Sequence, residues 1–401
     1  MFYLFNNIKD KDILDSFLKA YNSKGIDDID DVSSKLLMFS TKMKITGNLW
    51  RNYLLYTLVY NDNPFTRAIE LNQKCSGYTE FVDKDLKQYF DLYNLDTAFL
   101  GEINNYDFLK ETGSHYLRDI LIELTKEIKD DYKSFKKAIL NFYKTKGLGE
   151  MAIYKAFRVN DGKLLPIKHV LDINFDYLVG YEFQKSLLRE NTIAFLNNKP
   201  YNNVLLYGDA GTGKSTSIKA LINEYFDKGL RIIEVYKHQM HEISKIINDL
   251  KSRPYHYVIY MDDLSFEESE VEYKYLKSII EGGIEPKPEN VVVYATSNRR
   301  HLIKETFKDN GGVFDDIHRN ETQAEKLSLA YRFGLQIYYS SLSPQEFKDM
   351  VLELAKRNDI NLDEKTLLSE ANKFQMSNGS LSGRCASQFI SYISGIDKNE
   401  L

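Results

Sequence analysis

The sequence predicts an α/β fold: a mainly parallel sheet with helices on both faces, preceded by a mostly helical N-terminal domain and followed by a small helical lid. Three observations predict it. From about residue 171 to 340, short apolar runs alternate with helix-period segments, the pattern of parallel strands joined by crossover helices. One of those runs leads directly into a glycine-rich loop and a helix. On either side of this region apolar residues recur at three and four positions instead.

In the first part, 12–21 and 34–43 carry apolar residues at helical spacing, and 114–144 reads as one or two long amphipathic helices. Asn61-Asp62-Asn63-Pro64 is a stop between helices. From 151 to 167 the pattern shortens around Asn160-Asp161-Gly162, with Ile153, Tyr154, Phe157 and Val159 before it and Leu164 and Leu165 after it, which predicts a β-hairpin. The N-terminal domain is therefore expected to span 1–170, hairpin included. The expected strands of the α/β domain, 171–340, are 203–207, 230–236, 256–261, 291–296 and 334–339. A helix over 269–281 stops at Gly282-Gly283. After Ser343-Pro344 the chain turns helical at 346–357, 363–374 and 384–393, which makes 341–401 the lid.

Composition narrows the functional classes. At 401 residues, 43% apolar and 28% charged, the chain is long enough for two or three globular domains. Its formal net charge of -5 argues against coating nucleic acid through bulk charge, while leaving room for a local basic patch. Cys75 and Cys385 are far apart and in no metal-like spacing, which points to a reducing compartment. His238 and His241 share a helix face but lack a third ligand for zinc. No stretch approaches the roughly 18 apolar residues of a membrane span, and residues 1–10 lack a secretion signal, so a cytoplasmic protein is expected.

The segment Val204 to Thr216, V-L-L-Y-G-D-A-G-T-G-K-S-T, carries the chemistry. Gly208, Asp209, Ala210, Gly211, Thr212, Gly213, Lys214 and Ser215 have the spacing of a phosphate-binding loop after a buried strand. Its glycines let the backbone turn tightly and bring N–H groups to phosphate oxygens. The helix that starts near Lys214, with Thr216 in its first turn, turns its positive end to the same anion. Lys214 is expected on the β- and γ-phosphates of ATP, and the Ser215 hydroxyl on Mg2+.

Magnesium also needs a carboxylate. Tyr257-Val258-Ile259-Tyr260-Met261-Asp262-Asp263 places Asp262 at the end of a central strand, as the metal-side carboxylate. Asp263 is then the candidate to orient the attacking water, with Glu267 or Glu268 as substitutes. The strand 291–296 ends in Ser297-Asn298, whose amide can hold a water or the γ-phosphate in line; such an ending also suits a turn cap. Arg299, Arg300, His301 and Lys304 form a cationic cluster that fits a nucleic-acid contact, a subunit contact or a solvated helix start.

With these pieces in order the chain resembles the AAA+ ATPases, and within them the bacterial DUF815 family. The resemblance rests on G-D-A-G-T-G-K-S, Y-M-D-D-L-S-F-E, I-E-G-G-I, A-T-S-N-R-R-H-L, A-Y-R-F-G-L and S-G-R-C-A-S-Q-F, over about 175–400. It implies that Val179 and Gly180, in Leu178-Val179-Gly180-Tyr181, lie against the adenine. It also implies that Arg332 is an arginine finger reaching a neighbouring subunit's γ-phosphate, and that Arg384 is a second sensor acting in its own subunit. A homo-oligomer follows, of which a hexameric ring is one form. The double aspartate is similar to that of replication initiators and helicase loaders. No aromatic-apolar-glycine loop for gripping a polypeptide follows the strand 230–236, so DNA or a DNA-bound protein is the preferred client. The expected function is an oligomeric ATP-hydrolysing motor or switch; the alternative is a nucleotide-gated interaction protein with negligible turnover.

Overall fold

A computed structural model describes residues 2–105, 116–266, 270, 272–281, 287–299, 302 and 329–395. Backbone contacts divide the chain into two compact units, Met1–Tyr154 and Lys155–Leu401.

The first unit is helical. Its central helix, Leu49–Val59, is buried over nearly its whole length, as an all-round apolar helix must be. Asn48 caps it by accepting from Arg51 N, and Trp50 stacks on Phe17 from the helix Lys11–Ser23. At the predicted stop, Asn63 and Thr66 form a reciprocal capping box with Pro64 in the first turn of Pro64–Glu70. The stretch 114–144 resolves into two helices, Tyr116–Glu127 and Tyr132–Thr145, the second capped by Asp131. A buried carboxylate ties down the N-terminal segment: Asp85, on the helix Thr79–Tyr93, accepts backbone N–H groups from Tyr3, Leu4 and Phe5 at 2.7–3.0 Å. Asp85→Ala strands these donors, and a loss of about 2–4 kcal/mol in unfolding free energy is expected by denaturant titration.

The second unit is built on a seven-stranded sheet. Its strands are β1 (Ala156–Asn160), β2 (Lys163–Ile167), β3 (Val204–Gly208), β4 (Leu230–Glu234), β5 (His256–Met261), β6 (Val291–Ser297) and β7 (Leu335–Tyr339), in the order β2-β1-β4-β5-β6-β3-β7. Among the described strands only β1 and β2 pair antiparallel. Central strands β5 and β6 are buried almost throughout, as strands covered on both faces require.

The hairpin departs from its expected place. Ile153 belongs to a short helix, Gly149–Ile153, and the strand begins only at Ala156. Asp161 and Gly162 both adopt positive φ in the turn, as a tight hairpin needs. Strand β1 then pairs in parallel with β4, Ala156 opposite Ile232, so the hairpin extends the α/β sheet and the division falls after Tyr154, not near residue 170. Local pattern specifies a hairpin; which sheet edge it joins is a long-range choice.

Three helices close the unit: Pro344–Arg357, Glu364–Asn378 and Gly383–Ser394, capped by Ser343, Asp363 and Ser382. Their shared core includes Phe347, Val351, Ala371, Phe389 and Ile390.

Candidate nucleotide site

The phosphate loop crosses from the C-terminal end of β3 to the helix Lys214–Tyr225. Gly208 leaves β3 at φ 137°, and a Cβ there would lie 2.0 Å from the backbone oxygen of Tyr339 on the neighbouring strand, so only glycine fits. Gly211 faces the lid: a Cβ on it would come within 3.0 Å of Ser382 Oγ and Arg384 Cβ, and the Arg384 N–H donates to Gly211 O at 3.1 Å.

Lys214 is nearly enclosed by this loop. Its ammonium donates to Gly208 O (2.9 Å), Asp209 O (2.6 Å) and Asn298 Oδ1 (3.1 Å). Asn298 Nδ2 in turn donates to Asp263 Oδ1 at 2.7 Å, which links lysine, amide and carboxylate in a row. Asp263 takes φ 49°, a left-handed conformation that aspartate tolerates better than most residues. Beside it Asp262 Oδ1 accepts from Ser215 Oγ and from Thr296 Oγ1, both at 2.6 Å. The residues fit a magnesium site: a hydroxyl and an ionised carboxylate, hard oxygen donors, already in contact.

Burial raises the Asp262 pKa, but the hydrogen bonds from the Ser215 and Thr296 hydroxyls oppose it and the carboxyl is held below the ordinary range. Its preference for the ionised form therefore stabilises the native state above the unfolded carboxyl range and is lost as pH falls through the lowered native value. Burial lowers the Lys214 pKa, with Asp209, Asp263 and Asp262 opposing. Binding of a non-hydrolysable ATP analogue, titrated by calorimetry against pH, is thus expected to show no loss from Asp262 down to about pH 5, and an alkaline loss that begins below the ordinary lysine range near ~10.4.

A cavity of about 430 Å3 joins these groups, a size suited to a small-molecule ligand. Of the residues anticipated for the site, Val179, Ala210, Gly211, Thr212, Gly213, Lys214, Ser215, Thr216, Asp262, Asp263, Asn298 and Arg384 line it. Gly180 lies between two lining residues, Val179 and Tyr181, without lining the cavity itself. The carbonyls of Gly208 and Asp209 serve Lys214, and the Asp209 carboxylate accepts from Ser341 N and Oγ at 3.1 and 2.5 Å, beside the lid. Arg332 is elsewhere: it precedes β7, pairs with Glu281, and lies at the end of the sheet opposite the phosphate loop. Glu267, Glu268, Arg300, His301, Lys304 and Gly282-Gly283 lie outside the described residues.

Thr296 was missed as a site residue. Pairing of Met261 with Ala295 puts it opposite Asp262, where its hydroxyl also accepts from Asp263 N at 2.9 Å. Met350 and Leu354 supply apolar wall, from a helix read in the sequence as part of the lid with no site residue on it.

A family model described as a protein of unknown function (DUF815) matches residues 151–397. The chain belongs to the DUF815 family. That match covers nearly the whole sheet-and-lid unit of this DUF815 member. In the strand order β4-β5-β6-β3-β7 the phosphate-loop strand β3 lies between β6 and β7 and is parallel to both. Similar solved structures include Thermotoga maritima RuvB, described as a Holliday junction branch migration motor, at 16% identity and a TM-score of 0.33, over 57% of this chain and 75% of that one. Two substituted forms of the same protein match at 15% and 14% identity with TM-scores of 0.33 and 0.34, over 57% of this chain and 75% and 76% of theirs. No curated protein matches this DUF815 chain.

Proposed function

We propose that the chain binds Mg-ATP and hydrolyses it as an oligomer, acting as a motor or switch on a macromolecular client. The observation that carries this reading is the convergence of Lys214, Ser215, Asp262, Asp263 and Asn298 on one cavity closed by Arg384. Lys214 and the loop N–H groups bind and orient the phosphates. Ser215 and Asp262 hold Mg2+, which when bound neutralises charge developing on the phosphates. Asp263 accepts from and orients the attacking water, and Asn298, bonded to both Lys214 and Asp263, keeps water and γ-phosphate in line. Arg384 reports occupancy to the lid, through the backbone contact that its own N–H makes with Gly211. The site is completed by Arg332 of a neighbouring copy.

For the client, DNA or a DNA-bound protein is favoured over an unfolded polypeptide. After β4, residues Lys237–Glu242 form a tight helical turn, anchored by Gln239 to Val159 O and Tyr236 N, with no projecting loop to grip a chain.

A second reading has its own observation. The Asp263 carboxylate is engaged by Asn298, and its side chain is short, so bound nucleotide would gate a conformation with negligible turnover. Steady-state phosphate release by wild type and Asp263→Asn decides: a fall of about 10²-fold or more in the variant supports hydrolysis, and equal rates reject it.

A further inference from the structure

The helix Tyr132–Thr145 buries Phe135, Ala138, Ile139, Phe142 and Tyr143 and turns a different stripe outward. Lys133, the pair Lys136 and Lys137, the pair Leu140 and Asn141, and Lys144 recur one helical turn apart, three or four residues on, so they occupy one face. That face forms a groove of about 590 Å3 with Ile69, Asn72 and Gln73. Its floor is aliphatic, Ile69 and Leu140; its rim carries four lysines, and among the described residues no acidic one lines it. Lys136 is engaged by Asp83, but among the described residues Lys133, Lys137 and Lys144 have no carboxylate within salt-bridge distance. On a chain of net charge -5, this concentration of uncompensated cations around an apolar strip is a local exception.

We infer that this groove in the N-terminal unit docks a short acidic segment of a partner protein, one that presents aliphatic side chains to Ile69 and Leu140 and carboxylates to the lysines. Charge complementarity selects an anionic partner. The aliphatic floor selects a peptide over a nucleic acid, because among the described residues no lining one is aromatic or offers a stacking surface for a base. From Lys133 to Lys144 the stripe runs about 16 Å along the helix, enough for three turns of a helical segment. The inference rests on the proposed action on a macromolecular client, and it names the chemistry by which the N-terminal unit would recognise a protein one.

The test uses the full chain without nucleotide, in fluorescence anisotropy titrations. The probes are a labelled peptide of mixed glutamate and leucine, an all-glutamate peptide of equal charge, and a single-stranded oligonucleotide of equal charge. The mixed peptide is expected to bind about tenfold tighter than the other two, a difference equivalent to one small apolar contact patch. Lys133→Glu with Lys137→Glu should weaken it by about tenfold or more, while Leu140→Ser should remove its advantage over the all-glutamate peptide. Circular dichroism and phosphate release, both unchanged in the lysine variant, show that the fold and the nucleotide site are intact. Equal or tighter oligonucleotide binding that is lost in the same variant overturns the inference in favour of a nucleic-acid surface. No binding of the mixed peptide, or binding indifferent to these substitutions, overturns it outright. Peptide binding by a chain without any ATPase activity would keep the groove and reject the hydrolysis reading, so the two failures are distinct.

Discussion

Lys214→Ala is expected to weaken ATP binding by about thirtyfold or more, since a buried, charge-assisted contact to phosphate is worth roughly 2–5 kcal/mol on truncation. The side chain sits 6% exposed within its own loop, where its ammonium meets the carbonyls of Gly208 and Asp209 as well as Asn298. Those bonds hold the lysine at the cavity wall, ready to exchange one partner for a phosphate oxygen. Lys214→Arg is not a conservative control, because a planar fork does not fit an enclosure built around a compact ammonium. Isothermal calorimetry with a non-hydrolysable analogue reads the loss, and circular dichroism checks that the loop's own hydrogen bonds are not what failed. Retained affinity in a folded Lys214→Ala protein would remove the nucleotide from this cavity.

Arg332→Ala should have the opposite signature: ATP binding unchanged, turnover reduced about 10³-fold or more, the usual worth of an arginine that neutralises transition-state charge. The reason is placement. Strand β7 runs parallel to β3, with Leu335 opposite Val204 and Tyr339 opposite Gly208. Arg332 precedes that strand, so the length of a five-residue strand, about 17 Å, separates it from its own phosphate loop. An arginine so placed acts on the γ-phosphate of another copy or not at all. Arg332 pairs with Glu281, and on the proposed reading that pair would be exchanged when a neighbour's site is engaged.

What could be read in the sequence was what contiguous residues dictate. The phosphate loop needs glycines, a lysine and a hydroxyl at fixed local steps, and the apolar runs at 204, 256 and 291 fall where β3, β5 and β6 begin. Asp262 and Asn298 followed because each ends such a run. Thr296 did not, since its role comes from lying opposite Asp262 across a strand pair, and pairing register is not written in either strand alone. Lid residues Met350 and Leu354 reach the cavity by the way three helices pack, and the edge that the β1–β2 hairpin joins is settled by pairing with β4, a strand distant in sequence whose other side is taken by β5. The roles of Arg332 and Arg384 came from resemblance. For Arg384 the structure adds a physical link to the loop, its N–H on Gly211 O, which no spacing between residues 211 and 384 announces.

The central claim is that two copies make one working site. Mixing Lys214→Ala protein with Arg332→Ala protein tests it most directly, with phosphate release measured for each alone and for the mixture. The first cannot load its own site but carries an intact Arg332; the second loads its site but offers no finger to a neighbour. Two nearly inactive proteins and a mixture that recovers turnover are expected. An inactive mixture that nonetheless co-assembles, or an Arg332→Ala protein as active by itself as wild type, would contradict it.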